Sequence, residues 1–243
     1  MSSEKTLLVS SAARQEPVLA HALQLPVFAK LKGKHIVLAS ASPRRSEILR
    51  TLGLAPRIVP STFPETLSHA GYDDPAEYAA ATGCAKAVEV YEQLVRESPD
   101  DAPDLVIGAD TVVILPGPEP TILEKPMNKD DQLKMLESYQ DAVVEVATGV
   151  TIVQPQLSMP GYSTTSLIVK TKVLFADNSR RLLKAYVDCG EGIDRAGGFA
   201  IQGTGGLLIR AIEGDYNNCV GFPGQAFIEW LTQLDDEGSL LSM

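Results

Sequence analysis

The chain has 243 residues, with 21 Lys and Arg against 31 Asp and Glu, for a formal net charge of −10. Hydrophobic residues make up 44% and charged residues 21%, an ordinary globular balance with length for one large or two small domains. The acidic balance excludes a general nucleic-acid coat and a membrane-surface protein, both of which need a basic face; it leaves open an anionic small substrate met by a local basic pocket.

Residues 1–31 are mixed in character and read as a loosely attached lead-in with some helical content. His35 to Ser40 (HIVLAS) is a short apolar run that predicts a buried strand. Helix follows a tight loop: Ser42 suits an N-cap, Pro43 the first helical position, Ile48, Leu49 and Leu52 form the apolar stripe, and Gly53 is the stop. Asp74-Pro75-Ala76-Glu77 has capping-box spacing and opens a second helix running to about Glu97. Asp104 to Leu115 predicts a buried strand interrupted at Gly108-Ala109-Asp110. Pro116 to Pro120 is a turn, and Asn128 is placed to cap a third helix through Tyr139. Val143–Val153 predicts a long strand, antiparallel to Ser166–Phe175, with 154–165 as a surface loop. A short helix over Asp177–Val187, a glycine-broken strand over Ile201–Ile212 and a helix over Phe222–Leu234 complete the chain. Early alternation of strands and helices with later hairpins predicts an α/β fold on a mixed sheet.

Ser40-Ala-Ser-Pro-Arg-Arg45 places two small hydroxyls and two arginines at a strand-to-helix turn. A helix N-terminus offers free N–H groups and partial positive charge, and arginines there are unfavourable without an anion, so phosphate is the natural occupant. The competing reading is a simple cap with solvated arginines. Asp110 lies in an apolar run, where a carboxylate needs a metal, a cation or a catalytic water; a turn-forming Asp is the alternative. Thr111 beside it could donate to a carbonyl. Lys86, flanked by small residues, could approach a pocket; taken alone, Lys86 and Lys125 each read as solvated surface lysines, and Glu65 alone is unremarkable. His21, His35 and His69 have no partner for a triad and no metal-ligand spacing. The cysteines Cys84, Cys189 and Cys219 form no CxxC pair, so a metal site here would be built from oxygens and suit Mg²⁺ or Mn²⁺. GxGxxG and GxxxxGK[ST] are both absent. No apolar run approaches the roughly 20 residues of a spanning helix. The first residues lack a signal-peptide core, which gives a cytoplasmic expectation.

Together LASASPRRSEILRTLGL (38–54), the Cys-Ala-Lys-Ala helix around Lys86, IGADTVVIL (107–115), EKPMNKDDQLKML (124–136), VATGVTIV (146–153), GEGIDRAGGFAIQGTGG (190–206) and IEGDYNNCVGFP (212–223) resemble the Maf family of nucleoside triphosphate pyrophosphatases, in the family's order. The resemblance implies an elongated mixed β-sheet in two lobes with flanking helices, similar to the inosine triphosphate pyrophosphatases, with the nucleotide in the cleft between lobes. It implies hydrolysis between the α- and β-phosphates with a divalent cation. It places a family domain over 34–236, between an N-terminal extension (1–33) and a C-terminal tail (237–243), in a eukaryotic form. The family's catalytic aspartate falls on Asp110 and its phosphate-binding residues on Ser40, Arg45, Lys86 and Lys125. Its metal partners fall on Glu65 and Asp110. Arg44, Thr111 and Gln202 carry the residues of the dTTP/UTP branch, and Gln202 offers donor and acceptor to a carbonyl beside an N–H. The expected partner is a nucleoside triphosphate, with neither nucleic acid nor membrane; the resemblance admits a homodimer without an interface signature in the sequence. Rival expectations are the same chemistry on 7-methyl-GTP and a nucleotide-binding regulator of cell division with little catalysis. The chain departs from the family at Ser138-Tyr-Gln-Asp-Ala142, where Ser-Gly-x-x-His is usual, and at Asp194-Arg195, where Asp-Lys is usual.

Overall fold

The computed structural model describes residues 17–242; what was expected of residues 1–16 lies outside them. Among these residues seven α-helices and seven strands follow one another: α1 (Pro26–Leu31), β1 (Ile36–Leu38), α2 (Pro43–Leu52), β2 (Arg57–Ile58), α3 (Ala76–Glu97), β3 (Leu105–Leu115), β4 (Thr121–Leu123), α4 (Lys129–Ser138), β5 (Val143–Pro155), β6 (Tyr162–Phe175), α5 (Arg180–Cys189), β7 (Ile209–Glu213), α6 (Tyr216–Val220) and α7 (Gly224–Asp236). The strands form one open mixed sheet in the order β2-β1-β3-β5-β6-β7, with β4 added to β3. The β1 contacts with β2 and β3 are parallel, and the rest are antiparallel. No helix among the described residues is long and apolar enough to cross a membrane.

One edge of β3 locates the cleft. There β1 pairs with residues 105–107 and β4 with residues 113–115. Residues 108–112 therefore have a strand partner only on the other side, where β5 covers 106–114. Separate cores flank this gap. Phe28, Leu38, Leu49, Ile107 and Phe227 belong to one, and Tyr139, Phe175, Leu183 and Phe199 to the other. The first takes in α1 and Leu240, so the described part of the lead-in and the C-terminal segment both contribute to the packing.

The predicted interruption at 108–110 does not occur: β3 runs unbroken for 11 residues. Gly108 marks close approach rather than a turn. A Cβ there would lie 2.3 Å from the Gly83 carbonyl oxygen, and one on Gly149 would lie 2.3 Å from the Ala80 backbone. The missing side chains let α3 press its own small face, Ala79 to Ala87, onto β3 and β5.

Half of the expected 154–165 loop is strand, at its two ends. β5 extends to Pro155, β6 begins at Tyr162, and these two residues are in register. The Ser- and Thr-rich arm of β6 is mostly exposed on its face, so it lacks the apolar alternation that reveals a strand. Ile201–Ile212 is also corrected. Thr204–Leu208 forms a 3₁₀ helix, because glycines carry the chain through a tight coil, and only Ile209–Glu213 is strand. α5 starts at Arg180, where Ser179 accepts from the Leu182 N–H. Asn128 caps α4 as expected, accepting from the Asp131 N–H. The unusual Ser138–Ala142 segment is structural: the buried Tyr139 hydroxyl donates to the Gly197 carbonyl at 2.9 Å, and Gln140 accepts from the Asn178 N–H at 2.6 Å.

Candidate active site

A cleft of about 510 Å³ opens at the gap in β3. Ser40, Arg44, Arg45, Glu65, Lys86, Asp110, Thr111 and Lys125 all line it, drawn from the β1–α2 turn, the loop after β2, α3, β3 and the segment after β4. Gln202 is the one expected site residue outside this lining; it is exposed on the glycine-rich coil.

The α2 N-terminus is built differently from the simple cap that sequence suggests. Ser42 holds the N-cap position without a side-chain capping bond. Instead, the Ser40 hydroxyl accepts from the Ser42 N–H at 3.2 Å and from Arg45 Nη1 at 3.1 Å. Pro43 at the first position removes a donor, and the remaining first-turn N–H groups find no side-chain cap. Arg45 donates from Nε to the Gly221 carbonyl at 2.9 Å and from Nη2 to Thr111 Oγ1 at 3.1 Å. Three of its five N–H donors are thus held by protein. Burial lowers its pKa, and Asp110 opposes that shift. Arg44 is also lowered by burial, opposed by Asp194, and its Nε is buried without a protein partner.

On the other side, Lys86 reaches from α3 between two carboxylates. Its Nζ lies 2.5 Å from Glu65 Oε1 and 2.7 Å from Asp110 Oδ1. The side chains of Lys86 and Asp110 are 11% and 13% exposed, whereas Glu65 is 42% exposed. Burial raises the Asp110 pKa from its ordinary value, although Lys86 and Arg45 pull the other way. Glu65 also feels desolvation, but its hydrogen bond to Lys86 and the charges of Lys86, Lys125 and Arg45 outweigh it and lower its pKa. Lys125 Nζ stands 4.0 Å from Glu65 Oε2.

Several lining residues were not anticipated. Glu124 accepts from the buried Tyr78 hydroxyl at 2.9 Å; outside the lining, His69, read from sequence as structural or surface, packs edge-on against Tyr78 with ring centroids 4.5 Å apart. Glu124 sits beside Lys125, but one more acid in an acidic chain carries no sequence signal. Arg195, paired with Asp194 at 2.9 Å, also lines the cleft; its departure from the family's Lys was the available clue. Cys219 lines it too, with burial raising its thiol to about 12, which removes it as a nucleophile near neutral pH.

The arrangement concentrates cations around an acceptor carboxylate in a confined space, a chemistry suited to polyanionic substrates. A family model described as Maf-like protein matches residues 35–234. Over 211 residues the chain is 44% identical to a human protein named "Probable bifunctional dTTP/UTP pyrophosphatase/methyltransferase protein", covering 86% of this chain and 33% of that longer relative. It is 40% identical over 223 residues to a Schizosaccharomyces pombe protein named "dTTP/UTP pyrophosphatase", covering 89% and 90% of the two chains. A Saccharomyces cerevisiae protein of the same name is 40% identical over 201 residues, with 77% and 85% covered. The chain belongs to the Maf-like protein family.

Proposed function

We propose that this chain hydrolyses dTTP and UTP, and modified pyrimidine nucleotides of the same shape, to the monophosphate and pyrophosphate in the β3 cleft, with a divalent cation, Mg²⁺ or Mn²⁺. The observation that carries the chemistry is the largely enclosed Asp110, whose carboxylate faces a cleft walled by Arg44, Arg45, Lys86 and Lys125. The pyrimidine preference rests on the names of the relatives.

Water is a poor nucleophile at neutral pH and needs a proton acceptor as it attacks phosphorus. The raised pKa of Asp110 makes it a stronger acceptor than an exposed carboxylate, while leaving it beside cations that favour its ionised form. Phosphate charge is met by Arg44, by Lys125, by the two uncommitted Arg45 donors and by the uncapped first turn of α2. Thr111 fixes the Arg45 guanidinium in the cleft wall, which orients those donors.

Glu65 and Asp110 fit a hard cation through carboxylate oxygens. Among the described residues no group of three or more His, Cys, Asp or Glu side chains is placed to hold one. The remaining ligands would come from the triphosphate and water, the usual Mg²⁺ pattern. When bound, the cation supplies charge neutralisation to the phosphates.

A product assay with Mg²⁺ or Mn²⁺ across dTTP, UTP, CTP, GTP and 7-methyl-GTP tests the reading, scoring pyrophosphate apart from orthophosphate. The expected result is pyrophosphate chiefly from dTTP and UTP. Pyrophosphate chiefly from 7-methyl-GTP would overturn the specificity. None from any nucleotide, in a folded protein that binds nucleotide, would replace the enzyme with a binding regulator.

A further inference from the structure

Lys86 has two partners, and both are the carboxylates assigned above to the cation. Its ammonium lies at hydrogen-bond distance from each, so its charge stands between Glu65 and Asp110. The side chain is 11% exposed, and the helix that carries it is pressed backbone-to-backbone onto the sheet at Gly83, Gly108 and Gly149. The ammonium therefore has little room to withdraw along α3. A carboxylate oxygen that accepts a short charged hydrogen bond does not offer the same lone pair to a metal ion. An ion bonding both oxygens at the ~2.0–2.1 Å of Mg²⁺ would also crowd the nitrogen now between them.

We propose that Lys86 occupies the cation position of the nucleotide-free protein, so that the divalent ion enters only together with a triphosphate that draws the lysine off its carboxylates. This rests on the reading of the cleft given above. Two of the three ammonium protons are engaged by Glu65 and Asp110, and the third is available to a phosphate oxygen. A triphosphate gives the ammonium alternative acceptors of higher charge. The metal brought with it then replaces the lysine at the carboxylates, and the positive charge facing Asp110 is kept throughout. Lys86 thus sets the order of assembly as well as contacting substrate. By linkage, metal and nucleotide must each raise the affinity of the other by the same factor.

The test measures Mn²⁺ bound per chain by electron paramagnetic resonance, with the full chain and without turnover. Mn²⁺ alone is expected to bind wild-type protein weakly. Lys86→Met, which removes the ammonium and keeps the length, is expected to bind one Mn²⁺ at least tenfold more tightly, and adding Glu65→Gln is expected to reverse that gain. With the non-hydrolysable α,β-methylene-dTTP present, the wild type is expected to gain at least tenfold in Mn²⁺ affinity, and Lys86→Met much less. A folded Lys86→Met protein that binds Mn²⁺ no better than wild type would overturn the proposal. So would a wild type holding Mn²⁺ equally with and without nucleotide, a comparison that decides the matter even if the variant does not fold. Nucleotide-dependent Mn²⁺ binding without pyrophosphate release would retain this proposal and remove the enzymatic reading. Pyrophosphate release with nucleotide-independent Mn²⁺ binding would do the reverse.

Discussion

Asp110 and Thr111 are consecutive on β3, project to opposite faces of the sheet, and meet opposite surroundings. The Thr111 hydroxyl accepts from Arg45 Nη2 at 3.1 Å, hydrogen-bonds Thr148 Oγ1 at 3.0 Å and can donate to the Gly221 carbonyl at 3.4 Å. Its hydrogen-bonding capacity is spent within the protein. Asp110, in contrast, has one side-chain hydrogen-bond partner, Lys86, and burial leaves its charge costly. The Thr111 side joins α2, β3, β5 and the α6–α7 link into a brace; on the Asp110 side the carboxylate keeps acceptor capacity beyond its bond to Lys86. One strand thus carries a fixed wall at Thr111 and, on the adjacent residue, the wall proposed above to be reactive.

The largest stability effect is expected where α3 meets the sheet. Gly149→Ala puts a methyl against the Ala80 backbone at 2.3 Å and should destabilise by about 3 kcal/mol, near the top of the overpacking range, read by urea unfolding. Because the same contact seats Lys86 over Asp110, turnover should fall with it. Unchanged stability would mean that α3 moves freely and that the reactive wall is not held by its glycines.

Thr111→Val takes an acceptor from Arg45 and should cost about 1–2 kcal/mol, whereas Thr111→Ser should restore both stability and turnover. A loss from Ser with none from Val would show that the methyl, not the hydroxyl, matters, and the brace would lose its basis.

Asp110→Asn should behave in the opposite sense. A carboxyl whose folded pKa is raised contributes stability below its unfolded pKa and loses it as pH rises through the folded value. Above the folded pKa the ionised group is therefore a net cost, and Asp110→Asn should melt at the wild-type temperature or slightly above it, the gap opening as pH rises through that value. A clear drop in melting temperature at pH 7 would make Asp110 a structural residue like Thr111.

The smallest effect is predicted at the coil holding Gln202. Glu191 feels desolvation, but bonds from the Gly205 and Thr204 N–H groups and the Thr204 hydroxyl outweigh it and lower its pKa. The stability it contributes is present above the unfolded carboxylate pKa and lost as pH falls through the lower folded one. Amide exchange at Thr204 and Gly205 should accelerate over that acid window and be insensitive to it in Glu191→Gln. Equal acid sensitivity in the variant would assign the loosening to another group.

Sequence exposed the reactive wall better than the brace. Asp110 stood out as a charge in an apolar run, and Ser40 to Arg45 as a misplaced basic cluster at a helix start, because both break a local rule. Thr111, Thr148 and the Gly221 carbonyl break none; their contact arises only when β3, β5 and the α6–α7 link converge. Gly108 was legible as an exception but assigned to the wrong cause, since a glycine that admits a helix and one that ends a strand look alike in one dimension. Glu65 and Lys86, 21 residues apart in the chain, gained meaning together only from the resemblance and then from the fold.

The most direct measurement is pyrophosphate release from dTTP and UTP by wild type and Asp110→Asn under the same conditions, with binding of α,β-methylene-dTTP measured alongside. The predicted result is turnover reduced by about 10²–10⁴-fold, the usual contribution of a positioned proton acceptor, in a folded variant that still binds the analogue. Turnover within a few-fold of wild type would contradict the assignment of the reactive wall to Asp110.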